Sequence, residues 1–447
     1  MMARTPNGGS MPGAADNEAS ARRHVLLDIT RLMGRGLRSS PTGIDRVEFA
    51  YLDHLLARPD IELGFVEAGD FGLRLLPRDI GQDLRDRTAA NWGVADSTAS
   101  PAYARTLTFL GLPADAPARG PGRRDAVTGA AAWVKRAAGQ VVGTLSNIPG
   151  HIGGAVYINV AHSNLTAPAL PRWLQRSGVR PVFLIHDLIP ITHPEYCRPG
   201  HADLHRRRMA TVAAHAELVI TNSAYTRDVF EAHVTASGLR MPRTEVALLG
   251  IEDQFQARAG ALAVPQPDTP YFVVLGTIEP RKNHLLLMPL WRDMVERMGE
   301  AAPKLVLIGR RGWENENIAD YLDRCPALSA HVHEAGGLTD AEVAALMRGA
   351  AAVLVPSFVE GFSLPLVEAE ALGAPVIASD IAVHREVAGP AARLLSPLDG
   401  LGWMRAIEGL ARGDRGARLD IEPGVPEAMT WPAHFRVLDR YLSQTRN

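Results

Sequence analysis

The stretch Val353–Asp380, VLVPSFVEGFSLPLVEAEALGAPVIASD, restricts the fold more than any other part of this chain. Its valine-rich start, Val353 to Val355, reads as a buried strand, and Ser357 to Gly361 as the loop after it. A helix is expected from about Pro365 to Leu372, because the missing N–H of proline is harmless in a first turn. Gly373 then supplies a left-handed stop and Pro375 a breaker, and VIASD reads as the next buried strand. This is the unit of an open α/β sheet.

Two glutamates mark the unit. Glu360 lies in the loop, and Glu368 follows with seven residues between them, about one turn into the helix. A loop carboxylate can accept hydrogen bonds from the hydroxyl groups of a ligand, and the N–H groups of Phe362, Ser363 and Leu364 can face an anion at the helix start. Taken alone, two glutamates equally suit the solvent side of a helix N-terminus.

The whole stretch EGFSLPLVEAEALGAPVIAS, however, resembles the E-x7-E signature of retaining, nucleotide-sugar-dependent glycosyltransferases of family 4. That resemblance implies the GT-B fold: two doubly wound Rossmann-like α/β domains face each other across a cleft, and a C-terminal helix crosses back to the first.

Length and charge agree with two domains. A chain of 447 residues exceeds one ordinary domain, and a net charge of −2 offers no global field for nucleic acid. The two cysteines, Cys197 and Cys325, stand far apart, which points to reduced thiols and a cytosolic setting. No apolar run approaches the ~20 residues of a membrane span, and the N-terminus lacks a signal-peptide core. Peripheral contact with the inner face of a membrane stays open.

Along the chain, residues 1–23 read as a disordered leader. His24 to Thr30, HVLLDIT, is the first strand of a domain expected over 24–255. Gly34, Gly36 and Gly43 follow it, but not as G-x-G-x-x-G, and no acidic residue ends a clear second strand, so a nicotinamide cofactor is not expected. The resemblance sets SPTGIDRVE over the diphosphate and acceptor side, where Gly43 either lets backbone approach closely or forms a left-handed turn. The pattern fades over 76–150. There, residues 125–143, with Trp133, Lys135 and Arg136, suit either a surface helix or a membrane-lying one.

VYINVAHSNL and VRPVFLIHDLIPITHPEY read as buried strands ending in His162 and in His186-Asp187, at the edge where α/β sheets bind ligands. His162 is expected to be a satisfied structural group. HDLIPITHPEY resembles the family segment whose histidine faces the donor sugar, so His186 is the candidate to donate a hydrogen bond to a sugar hydroxyl or to position the acceptor. Ser223 reads as a helix cap.

After a linker over 256–270, a second domain is expected over 271–429, and residues 430–447 form the returning helix. GTIEPRKN, with Gly276, Thr277, Arg281 and Lys282, resembles the family's phosphate-binding loop. It carries threonine where many members have arginine after the turn glycine, so the resemblance puts the cationic load on Arg281 and Lys282. Gly309 to Gly312 can approach a nucleotide base.

By resemblance, then, Glu360 contacts sugar hydroxyls, Glu368 the ribose, Arg281 and Lys282 the diphosphate, and His186 the sugar from the opposite domain. The expected partners are a nucleotide-sugar, GDP-mannose before a UDP-sugar, and a saccharide or lipid-linked acceptor. No further cofactor is expected, nor a metal, because the chain has no Asp-x-Asp element. An epimerase acting on a UDP-N-acetylhexosamine and a non-catalytic sugar-binding subunit are the alternatives.

Overall fold

The computed structural model describes residues 22–36, 41–69, 72–92, 100–113, 152–255, 262, 267–390, 392–413 and 424–445. Two sheets organise them. The first contains β1 (Arg23–Asp28), β2 (Ile61–Gly69), β3 (Gly72–Leu76), β4 (Val156–Asn159), β5 (Arg180–Ile185), β6 (Leu218–Thr221) and β7 (Arg243–Val246), in the order β3-β2-β1-β4-β5-β6-β7. Only β3 runs antiparallel to its neighbour. The second contains β8 (Tyr271–Leu275), β9 (Lys304–Ile308), β10 (Val332–Ala335), β11 (Ala352–Val355), β12 (Val376–Ser379) and β13 (Arg393–Leu395), all parallel, in the order β10-β9-β8-β11-β12-β13.

The strands are continuous apolar runs because helices cover both faces. Phe272 and Val274 face one buried cluster, while Tyr271 and Val273 face another. The strand order reverses between β1 and β4 in the first sheet and between β8 and β11 in the second. Such reversals leave a crevice at the carboxyl ends of the strands, where ligands bind. The two Rossmann-like domains give the chain a GT-B architecture.

The helices that position the site are numbered in chain order: α1 (Thr30–Arg35), α2 (Gly43–Leu56), α3 (Pro101–Leu110), α4 (His201–His215), α5 (Ala224–Ala236), α6 (His284–Met298), α7 (Asp340–Gly349), α8 (Leu364–Ala371) and α9 (Trp431–Gln444). Their ends follow local chemistry. Thr42 and Asp45 form a capping box at α2, as Thr339 and Glu342 do at α7. Beyond α8, Gly373 takes φ 72° and closes the helix. No helix among the described residues is long and apolar enough to cross a membrane.

Helix α9 lies across the first domain. His434 meets the Tyr51 hydroxyl at 2.9 Å and Asp439 meets His54 at 3.0 Å, both from α2. The partition by residue number fails at α3, which lies within 24–255 yet packs on the second sheet. There Thr106 meets His333 of β10 at 3.2 Å, Phe109 stacks on the same ring, and Ser100 donates to Glu342 of α7. The reason is apolar: Tyr103, Leu107 and Leu110 share one buried cluster with Tyr271 and Ala335.

Three other expectations change. Strand β1 begins at Arg23, inside the span assigned to a leader, and residues 1–21 of that span, like residues 125–143 and most of the linker, lie outside the described residues. A clear second strand, β2, does carry an acidic residue near its end, but Glu67 pairs with Arg74 of β3 at 3.0 Å and is no ribose ligand. Gly43 is no left-handed turn. It opens α2, where an added Cβ would lie 3.1 Å from the Leu364 side chain of the other domain.

Candidate active site

The loops after β8 and β11 meet in an ionic cluster. Glu360 accepts from Lys282 Nζ at 2.5 Å, from Arg281 Nη1 at 2.6 Å and from the Ser357 hydroxyl at 2.7 Å. Arg281 also pairs through Nε with Glu279 at 2.5 Å. Burial alone would raise Glu360, but Arg281 and then Lys282 outweigh it and hold the carboxyl far below the usual range. The two cations are thus matched by two carboxylates, as buried charges must be. Capacity remains, because a guanidinium has five N–H donors and an ammonium three. Beside the cluster, no N–H of Gly361, Phe362, Ser363 or Leu364 donates to a described acceptor, and Ser363 holds φ 78° at the start of α8.

Glycine at 361 is needed for contact between the domains. A Cβ there would lie 2.1 Å from the His186 carbonyl oxygen and 3.0 Å from Asp187 Cβ. The Gly361 carbonyl is met by the hydroxyls of Ser223 at 2.8 Å and Thr226 at 3.2 Å. Ser223 is a cap as expected, accepting from the Thr226 amide, and it also reaches this second domain. Glu386 returns the contact, accepting from the first two amides of α5, Ala224 at 2.6 Å and Tyr225 at 3.0 Å. Gly361→Val should therefore part the domains without unfolding either. Small-angle scattering should read a larger radius of gyration with nucleotide binding retained, and an unchanged radius would count against this contact.

His186, at the end of β5, is buried, and burial lowers its pKa to about 4, so the ring is neutral near pH 7. Its Nε2 lies 2.6 Å from the Val160 carbonyl. A carbonyl only accepts, so Nε2 carries the hydrogen and Nδ1 is left as an acceptor. This corrects the expected donation to a sugar hydroxyl: His186 can take a hydrogen bond from one instead. His162 reciprocates, its Nε2 reaching the Leu184 carbonyl at 2.9 Å, a satisfied structural group despite φ 55°.

Glu368, on α8, is buried, and its side-chain carboxyl makes no hydrogen bond to a described residue. Burial raises its pKa to about 7; Arg46 opposes the shift, and Asp340 and Glu252 add to it. Arg46 comes from α2 in the first domain and bonds Asp340 at 2.5 Å. Below pH 7 Glu368 is then a neutral acid, and above it a carboxylate able to accept from two hydroxyls. If it holds the ribose, nucleotide affinity should rise with pH through about 7 and level off, and Glu368→Gln should flatten the profile. Calorimetry between pH 6 and 8 checks this, and a flat wild-type profile would remove the assignment.

Glycine at 309 is required by packing, because an added Cβ would lie 2.0 Å from the Gly276 carbonyl oxygen. Gly276, with φ 143°, turns the chain so that Thr277 fits under Gly312, and the two loops zip through Ile278 and Arg310. The structure thus brings together Arg281, Lys282, Glu360, Gly361 and His186, with Glu368 one helical turn beyond. Glu279, Ser357 and Arg46 join them without having been singled out. Glu279 was accessible in principle, standing two residues before Arg281 in GTIEPRKN.

A GT-B pair of Rossmann-like domains with its ionic cluster between them is the class this geometry defines. Residues 263–397 match the family described as Glycosyl transferases group 1. The serotype-specific mannosyltransferase WbdA of Escherichia coli is 27% identical over 235 residues, which are 48% of this chain and 28% of that protein. The chain therefore spans little more than a quarter of WbdA. Among solved structures, sucrose-phosphate synthase from Thermosynechococcus elongatus superposes with a TM-score of 0.60 at 15% identity, covering 95% of this chain and 99% of the other. Anabaena HepE in complex with UDP and glucose gives 0.58 at 14% identity, covering 95% and 100%. These structures share the fold.

Proposed function

We propose that the chain is a retaining glycosyltransferase that moves a hexose, mannose first, from a nucleotide-sugar on the second domain to a saccharide or lipid-linked acceptor on the first. The observation that carries this is Glu360, held ionised between Arg281 and Lys282 while the next residue, Gly361, presses against His186 of the other domain. The remaining donors of Arg281 and Lys282, with the open amides before α8, suit the charge that develops on a leaving diphosphate. The reaction is a front-face displacement in which the leaving phosphate helps to deprotonate the acceptor, and His186 Nδ1 orients a hydroxyl in the cleft. Glu368 takes the ribose. Likeness to WbdA favours GDP-mannose and a role in polysaccharide assembly, and the UDP and glucose of the HepE structure keep a UDP-sugar as the second donor.

Incubation with a panel of nucleotide-sugars, reading free nucleotide with and without lipid-linked saccharides, tests the proposal. Acceptor-dependent release from GDP-mannose is expected. Turnover of a UDP-N-acetylhexosamine with no acceptor would mark an epimerase, and binding without turnover would mark a sugar-binding subunit.

A further inference from the structure

We propose that the first domain takes an acceptor bearing a phosphate group, bound between Arg208 of α4 and Arg31 of α1 on the rim beside His186. This rests on the glycosyltransferase reading above. Arg208 is half-buried, and its Nε is sealed from water with no hydrogen-bond partner among the described residues. Arginine does not lose its charge in a protein, and its guanidinium only donates. A sealed N–H on a cation is unfavourable until an acceptor reaches it.

Position follows from the helix. Arg208 stands one turn beyond His205, whose Nε2 donates to the Asp187 carbonyl at 3.1 Å, next in the chain to His186. Burial first, and the Arg31 charge second, hold the Arg208 guanidinium below its ordinary value. Its field also reaches His162 and His205, so it sits among the groups at the ends of β4 and β5. Arg31 is aimed by Asp45, 2.7 Å from Nε, and by the Thr42 hydroxyl, 3.1 Å from Nη2, which leaves Nη1 uncommitted among the described residues. Two guanidinium forks with open donors suit a tetrahedral dianion, which supplies both the acceptor oxygens and the charge. A neutral sugar hydroxyl supplies only the first. A lipid-linked phosphate and a soluble sugar phosphate share this chemistry.

The probe is inorganic phosphate, titrated by calorimetry into protein saturated with the nucleotide that the donor panel selects, so that the diphosphate site is already filled. Wild type should bind it, and Arg208→Gln should bind about tenfold more weakly or worse. Arg208→Lys should fall between, and Arg207→Gln, on the exposed side of the same helix, should match wild type. Nucleotide binding by the Arg208→Gln variant reports whether its donor site is intact; loss of nucleotide binding in wild type itself would sink the glycosyltransferase reading rather than this one. Should Arg208→Gln not fold, Arg208→Lys and Arg31→Gln decide by the same measure. Vesicles carrying a polyprenyl phosphate and soluble mannose 1-phosphate, each used to displace the bound phosphate, tell the lipid source from the soluble one, and displacement by either supports the subsite. Equal phosphate affinity in wild type and Arg208→Gln, or none in the nucleotide-loaded wild type, overturns it.

Discussion

Glu360→Gln lowers turnover about 30- to 1,000-fold, the loss expected when a charged hydrogen bond worth about 2–4 kcal/mol is removed from a dry site. Glutamine keeps the shape of the side chain and the bond to Ser357, so the variant stays folded. Glu360→Ala loses the same activity and also leaves buried Lys282 unmatched, so its thermal midpoint falls below that of the glutamine variant. Steady-state kinetics and melting curves on both separate the two losses. Wild-type turnover in either folded variant would remove Glu360 from the reaction.

Lys282→Ala should cost about 10²-fold in turnover, an oxyanion-type loss, because a donor aimed at the leaving phosphate is gone. The structure adds a condition: the substitution also removes one of the two cations that match Glu360, whose negative charge then sits beside the diphosphate against Arg281 alone. The fall should therefore appear in turnover and in donor affinity together. Chelator should change little, since no Asp-x-Asp stands ready to carry a metal. Complete inactivation by EDTA, restored by added Mn²⁺, would overturn the phosphate assignment and the mechanism built on it.

What could be read from the sequence was whatever is decided within a few residues. Gly373 closing α8, the Ser223 cap of α5, the strand ahead of Glu360 and the start of α9 at Trp431 all depend on neighbours along the chain. What could not be read depends on partners far away. Arg46 matters through Asp340, 294 residues later, and nothing near either residue says so. Lys282 and Glu360 are separately visible, but that one neutralises the other emerges only when the loops after β8 and β11 lie side by side. The direction of the His186 ring depends on Val160, in the neighbouring strand's loop, which turns an expected donor into an acceptor. Gly361 is expected beside the nucleotide-sugar together with Phe362, Ser363 and Leu364, but nothing near it in the chain shows that the other domain lies against it.

Helix α3 bears on anyone who would recombine this protein. It lies against β10, an edge strand of the second sheet, through the Phe109–His333 stack, and against β9 through the bond of Lys304 Nζ to the Phe109 carbonyl. A chimaera joined in the segment after Phe255, the natural seam by residue number, would graft the second domain without its cover. It would bare the apolar surface that Tyr103 and Leu107 fill, together with an edge able to pair with another copy. Residues 100–110 belong, for any such exchange of donor specificity, with the half of the molecule they touch rather than with the half that encodes them.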